Sequence, residues 1–262
     1  MSSETLYSVK GPKTLFEMTW EEVSEALEKT DIILISVGAT EQHGPHLPLG
    51  TDVIQAREIL RRAAEKLADE GITVVVGPFI TMGLSSYHMD FPGSVTLTPS
   101  TLSGLIKDVC RSMYRHGFRK FLLKISHGGN RNIVQVVAQE LQDELADVKM
   151  ISVYPYPVSY TIHEEILASK GVGDGHGGEA ETSRILAIHP SLVKLDRAKP
   201  SPGAEHGGAG TVYAPIRSMK LSTEFGSIGY PNHATKEKGD RVLEVMADFI
   251  RDVVKERFLG ED

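Results

Sequence analysis

The sequence predicts an α/β protein, a mainly parallel sheet with helices over both faces, on three observations. Continuous apolar runs such as Ile32–Val37 (IILISV) suit strands covered on both sides, as parallel strands are. Segments with apolar residues at helical spacing alternate with these runs, as right-handed β-α-β crossovers require. No internal repeat or linker divides the 262 residues, so a single domain over 1–262 is expected.

Each element has its own signal. Trp20–Leu27 reads as a small amphipathic helix, followed by the strand Ile32–Val37. Ile54, Ile59, Leu60, Ala63 and Leu67 recur at helical spacing over 52–67. A second buried strand is expected at 72–76, ended by Gly77-Pro78. Thr98 as N-cap, with Pro99 at the first helical position, opens a helix to about His116. A third strand covers 121–125. Ile133, Val134, Val137, Leu141 and Leu145 mark the next helix, and a fourth strand covers 150–153. The second half is looser: 154–157, 171–178 and 200–210 read as loops, with helices near 161–169 and at Glu179–Ile188. A last helix over 236–258 carries Val242, Met246, Phe249, Ile250 and Val253 on one face.

Composition narrows the function classes. Hydrophobic residues at 40% and charged residues at 24% fit an ordinary globular chain. A net charge of −7 without any basic stripe argues against a nucleic-acid partner. No run approaches the ~18 apolar residues of a membrane span, and the N-terminus lacks a secretory pattern, so a cytoplasmic location is expected. The single cysteine excludes an internal disulfide and fits a reducing compartment. Cys110 lies among Leu102, Leu105, Ile106, Val109 and Met113, as a buried small hydrophobe rather than a nucleophile.

The chemistry concentrates in loops that follow strands. Glu41 and His43 lie just past the first strand, two residues apart and on the same side of extended backbone. Asp52 follows at the start of the next helix, whose positive end suits a carboxylate. His127 lies just beyond the third strand, and Gly128-Gly129 leave room for a cation or substrate to approach the backbone. In open parallel sheets ligands gather at the carboxyl ends of strands, so these four side chains are candidate ligands. An aspartate can bridge two metals ~3.5–4 Å apart, the two-metal hydrolytic arrangement. In the third loop Glu181 would complete the second metal, while His176, Glu179 or Glu181 would move protons. Histidine and carboxylate ligands without cysteine point to zinc, manganese or iron(II). His46 is expected to orient the loop rather than bind metal. Ser86 and His88, past the second strand, are candidate substrate contacts together with Gly128 and Gly129. The stretch 205–208 (EHGG) resembles a further active-site loop; His116, His163, His189 and His233 read as structural or exposed.

The blocks GATEQHGPHLPLGTD (38–52), FPGSVTL (91–97), SHGGN (126–130) and GHGGEAETS (175–183) resemble those of the creatininase (creatinine amidohydrolase) family. The resemblance implies a three-layer α/β/α sandwich, a two-metal centre, a hydroxide that attacks a carbonyl carbon, and hexamers built from dimers. By position, Glu41 and His127 would serve one metal, His43 the other, with Asp52 bridging; His176 and Glu181 match the family's later His and Glu. Creatininases carry an aromatic residue and a glutamate after the histidine matching His127, where this chain has Gly128 and Gly129. They also place a tryptophan just before the position of His176, whereas the only tryptophan here is Trp20. Creatinine is therefore not the expected substrate.

The expected activity is metal-dependent hydrolysis of a small cyclic amide or formamide. The alternative is C–C hydrolysis that opens an oxidised inositol ring, and the third reading is a non-catalytic metal-binding protein. A homo-oligomer acting on a small molecule, with no membrane partner, completes the expectation.

Overall fold

The computed structural model describes residues 12–154, 162–170, 175–201, 215 and 217–260. Four strands, β1 (Ile32–Val37), β2 (Val75–Ile80), β3 (Lys120–Ile125) and β4 (Lys149–Val153), form one parallel sheet in the order β2-β1-β3-β4. Alternate side chains of β1 serve opposite faces. Ile32 and Leu34, with Leu122 of β3, pack against α2 (Thr51–Asp69), α5 (Glu179–Ile188) and α6 (Lys236–Val254). Ile33, Ile35 and Val37, with Phe121 and Leu123, pack against α3 (Pro99–His116), α4 (Arg131–Glu144) and α1 (Trp20–Leu27). The three-layer α/β/α arrangement follows, and each fully buried large side chain contributes about 1.5–3 kcal/mol.

This topology positions the site. The crossover from β1 to β2 runs through α2 on one face, while those through α3 and α4 lie on the other. Connections therefore diverge between neighbouring β1 and β3, whose carboxyl ends form the topological switch point.

Local chemistry accounts for most boundaries. Thr19 and Glu22 form a reciprocal capping box at α1, and Thr98 accepts from the Thr101 amide before Pro99 opens α3. Three expectations are corrected. β2 starts later than expected and continues through Gly77-Pro78, a cis peptide, to Ile80. The partners of Leu34 and Ser36 are Val76 and Phe79, so an extra residue is absorbed in a bulge, and an edge strand tolerates its proline. The helix expected at 161–169 is a single wide turn, Ile162–Ile166, because the next amides, Ala168 and Ser169, donate to the Glu179 carboxylate. The last helix is α-helical only to Val254, then widens over Lys255–Leu259 and ends at Gly260 with φ 75°. Most of the loops expected at 154–157, 171–178 and 200–210, including the EHGG stretch, lies outside the described residues. Cys110 is buried between α3 and the sheet, and burial pushes its thiol up to about 12. It is inert. No helix among the described residues is long and apolar enough to cross a membrane.

Candidate metal centre

The ends of β1 and β3 are tied together before any chemistry is added. Asn130 donates to the carbonyls of Val37 and Gly38 (3.3 and 2.9 Å) and accepts from the Leu84 amide (2.9 Å). These bonds bring three loops to one point: that after β1, that after β2 and that after β3. Gly129 is constrained by the same packing, since a Cβ there would lie 2.5 Å from His127 Nε2 and 2.6 Å from the Leu84 carbonyl oxygen. The glycine permits close approach to the His127 ring; neighbouring Gly128 is exposed.

Six candidate side chains meet at this point. Asp52, the second residue of α2, does not cap that helix, since Gly50 occupies the N-cap; its carboxylate instead lies between two imidazoles. Oδ1 is 3.4 Å from His43 Nε2 and Oδ2 is 3.6 Å from His127 Nδ1. Glu41 Oε1 lies 3.1 Å from His127 Nδ1 and 3.7 Å from His176 Nδ1. Glu181 Oε2 is 3.7 Å from His43 Nε2 and accepts from the Gly177 amide at 2.7 Å. Glu41, Asp52 and His127 form one group with potential ligand atoms within 4.8 Å of one another, and His43, His176 and Glu181 form another.

The outer nitrogens of three rings are held by backbone carbonyls: His43 Nδ1 by that of Glu41 (3.0 Å), His127 Nε2 by that of Leu84 (3.0 Å), and His176 Nε2 by that of Gln42. A carbonyl only accepts, so these nitrogens carry hydrogen, and in the neutral rings the inner nitrogens present lone pairs, as metal-binding imidazoles do.

No metal is part of the structure, and the donor set itself shows whether one fits. Glu41 Oε1 and Oε2, Asp52 Oδ2 and His43 Nε2 are buried without a hydrogen-bond partner among the described residues. Uncompensated buried carboxylate oxygens are costly, and a divalent cation between them removes that cost. The electrostatics of the site carry the same imbalance. Burial pulls His43 down, but Asp52, Glu181 and Glu41 override it and push the ring up to about 10. His127, likewise opposed by burial, is pushed up to about 9 by Glu41 and Asp52. Burial dominates at Asp52 and raises its carboxyl above the usual range, whereas at Glu41 burial is outweighed by His127, His176 and His88. Without a cation, the carboxylates draw protons onto imidazoles that are otherwise free to coordinate. The residues fit a divalent ion.

Sequence reasoning missed the supporting side chains. Arg184 Nε donates to Gln55 Oε1 (2.5 Å), which turns the Gln55 amide so that Nε2 donates to both Asp52 Oδ1 (3.2 Å) and Glu181 Oε1 (3.1 Å). Lys124, on the face of β3 toward α2 and α5, is buried, donates to Ser126 Oγ at 3.0 Å, and is pushed down to about 7 by burial and then by Arg184. A lysine inside an apolar strand was the available signal. His46 lies with Nε2 beside the Gly177 carbonyl (3.1 Å) and Thr182 Oγ1 (3.0 Å).

One further expectation changes. Glu179 was expected among the proton carriers, but its buried carboxylate accepts from the amides of Ala168 and Ser169 (2.9 Å each) and from Lys238 (2.5 Å). Residues two apart on a helix face different ways, so Glu181 meets the centre and Glu179 does not. Glu179→Ala is expected to lower stability by about 3 kcal/mol while leaving metal content unchanged, as melting curves and elemental analysis would show. Ser86 is exposed, and it is Ser85 whose side chain is buried. His88, expected at the substrate, is buried with Nε2 3.3 Å from Glu41 Oε1.

The creatininase (creatinine amidohydrolase) family model matches residues 16–254. The chain belongs to the creatininase family. Among its relatives in the family is the creatinine amidohydrolase of Pseudomonas putida, 28% identical over 92% of this chain and 96% of that protein. The mycofactocin precursor peptide peptidase of Mycobacterium ulcerans is 31% identical over 82% and 81%, and the 3-dehydro-scyllo-inosose hydrolase of Thermotoga maritima 25% over 91% and 81%. Solved creatininases superpose closely. A manganese form gives a TM-score of 0.75 at 27% identity, and a mutant of zinc–zinc type 0.74 at 28%, each covering 94% of this chain and 99% of its own. The chain is thus a creatininase-family hydrolase, whose solved relatives include zinc and manganese forms.

Proposed function

We propose that this chain is a two-metal hydrolase acting on a small cyclic amide or formamide. The observation that carries the reading is the set of buried atoms of Glu41, Asp52 and His43 at the switch point that have no hydrogen-bond partner among the described residues. Glu41, Asp52 and His127 would hold one ion; His43, Asp52 and Glu181 would hold the other. Zinc or manganese, known in forms of related enzymes, suits these ligands, as does iron(II). Such ions lower the pKa of water towards neutrality and polarise a carbonyl group.

The protein's own groups would do the rest. Arg184, through Gln55, fixes the carboxylates of Asp52 and Glu181; His46 and Thr182 fix the Gly177 turn that carries His176. His176 Nδ1, a lone pair beside Glu41, would take a proton from water and return it to the leaving nitrogen. Burial, with His43 and His88 nearby, holds this ring down at about 3, so at pH 7 it is neutral and its Nδ1 lone pair is unprotonated. Gln55→Ala is expected to weaken metal binding about 10–100-fold, measured by competition with a chromogenic chelator.

C–C cleavage of a cyclic diketone is the second reading, favoured by the inosose hydrolase relative and by Gly128-Gly129 in place of the creatininase pattern. We also read the chain as one domain acting as a cytoplasmic homo-oligomer; the family match across 16–254 supports the single domain. Turnover of N-formyl compounds, cyclic amides, creatinine and a cyclic diketone by metal-loaded and chelator-stripped enzyme tests the proposal. Amine or formate release that stops on stripping and returns with zinc or manganese is expected. Metal-independent turnover overturns the reading, and an opened-ring acid without amine selects the second.

A further inference from the structure

The fourth imidazole of the centre is held differently from the other three. The outer nitrogen of His88, Nδ1, lies 2.8 Å from Gln42 Nε2, a nitrogen that donates. The orientation of this amide is fixed by backbone groups that can play only one part. The Gly44 N–H donates to Gln42 Oε1 (2.9 Å), and the Gly226 carbonyl accepts from Gln42 Nε2 (2.9 Å). Exchanging oxygen and nitrogen would set two acceptors and two donors against each other. The backbone around Gln42 is itself pinned, since its amide donates to Ser94 Oγ at 3.1 Å. Gly226, at φ +80°, is the residue that admits the amide, because a Cβ there would lie 2.1 Å from Gln42 Oε1. His88 Nδ1 must therefore accept, and in the neutral ring the hydrogen sits on Nε2.

That places an N–H where the other three rings place lone pairs. His88 Nε2 is buried, 3.3 Å from Glu41 Oε1, and has no hydrogen-bond partner among the described residues. Glu41, His88 and His176 come close enough to resemble a further ligand group, but a protonated Nε2 cannot coordinate. The His88 ring lies on that of His176, centroids 4.4 Å apart, and His176 on that of His43 at 4.1 Å, so this N–H enters the same chamber as the candidate ligands.

We propose that Gln42 is a positioning residue that locks His88 as a hydrogen-bond donor, and that His88 Nε2–H binds the carbonyl oxygen of the substrate rather than a metal. The assignment rests on the hydrolase reading only for the identity of the oxygen. No proton leaves His88: the bond is donated, as in an oxyanion hole, and the acceptor is the oxygen on which negative charge grows.

The test is nitrogen-15 NMR of the zinc-titrated protein with labelled histidine, followed by acetohydroxamate as an oxygen-bearing probe. His43 and His127 are expected to shift as zinc binds their inner nitrogens, while His88 keeps the Nε2–H form before and after zinc. On adding acetohydroxamate the His88 N–H proton should move downfield. His88→Ala should weaken the probe about 10–100-fold at unchanged zinc content, and His88→Gln, which retains an N–H, should recover part of that loss. In Gln42→Glu, whose carboxylate accepts from Nδ1, the ring should change tautomer and probe binding should fall similarly. Zinc-induced loss of the His88 Nε2–H signal, or probe affinity unaffected in His88→Ala, overturns the proposal. Absence of zinc shifts at His43 and His127 would instead defeat the metal reading, a separate result that the wild-type His88 signal does not share.

Discussion

Asp52→Asn is expected to abolish turnover by about 10³-fold or more and to remove most bound metal, because one side chain faces both ligand groups. Its Oδ1 lies toward His43 and its Oδ2 toward His127, so losing the charge would weaken both proposed ion positions together. Metal stabilisation of a reacting centre amounts to several kcal/mol, and each 1.36 kcal/mol is tenfold in rate. The fold should persist. Burial already disfavours the charged form of Asp52, so a neutral isostere relieves a cost that the carboxylate carries at pH 7. Elemental analysis should show metal lost, and the metal-free variant should melt no lower than the metal-free parent. Retained metal with retained turnover would remove Asp52 from the bridging position.

The second large effect lies outside the centre. A Cβ on Gly239 would stand 1.9 Å from the Ser183 carbonyl oxygen and 3.0 Å from the Ala187 Cβ, so α6 and α5 meet backbone to backbone. Gly239→Ala must push these helices apart, at about 3 kcal/mol, or a melting temperature lower by about 6–12 °C. The Thr235 amide bonded to Ser183 Oγ would move with α6, and Ser183 sits between Glu181 and Arg184 on α5. Metal affinity should fall as well, unlike in Glu179→Ala, where stability alone changes. An unchanged melting curve would show that the helices separate without cost.

Why some of this was legible in the sequence is a matter of distance along the chain. Ile32–Val37, Thr98-Pro99 and Glu179–Ile188 announce themselves locally, through a continuous apolar run, capping and periodicity, and their boundaries agree with the structure. Glu41, His43, Asp52 and His127 were legible because a parallel sheet presents its strand ends together. Gln55, Arg184 and Lys124 were not, because nothing near them in sequence reveals that α2, α5 and β3 share a buried polar cluster. Glu179 was misassigned by proximity to Glu181, although helix geometry separates the two. Strand β2 was misplaced because Gly77-Pro78 reads as a terminator, whereas an edge strand with a bulge accommodates it.

The central claim is that these side chains hold divalent ions. Anomalous scattering at the zinc absorption edge, from crystals of the zinc-loaded protein, tests it most directly. The account predicts one peak in contact with Glu41, Asp52 and His127 and another in contact with His43, Asp52 and Glu181. Zinc bound only elsewhere, or those side chains still paired with one another and without a peak between them in catalytically active crystals, would contradict it.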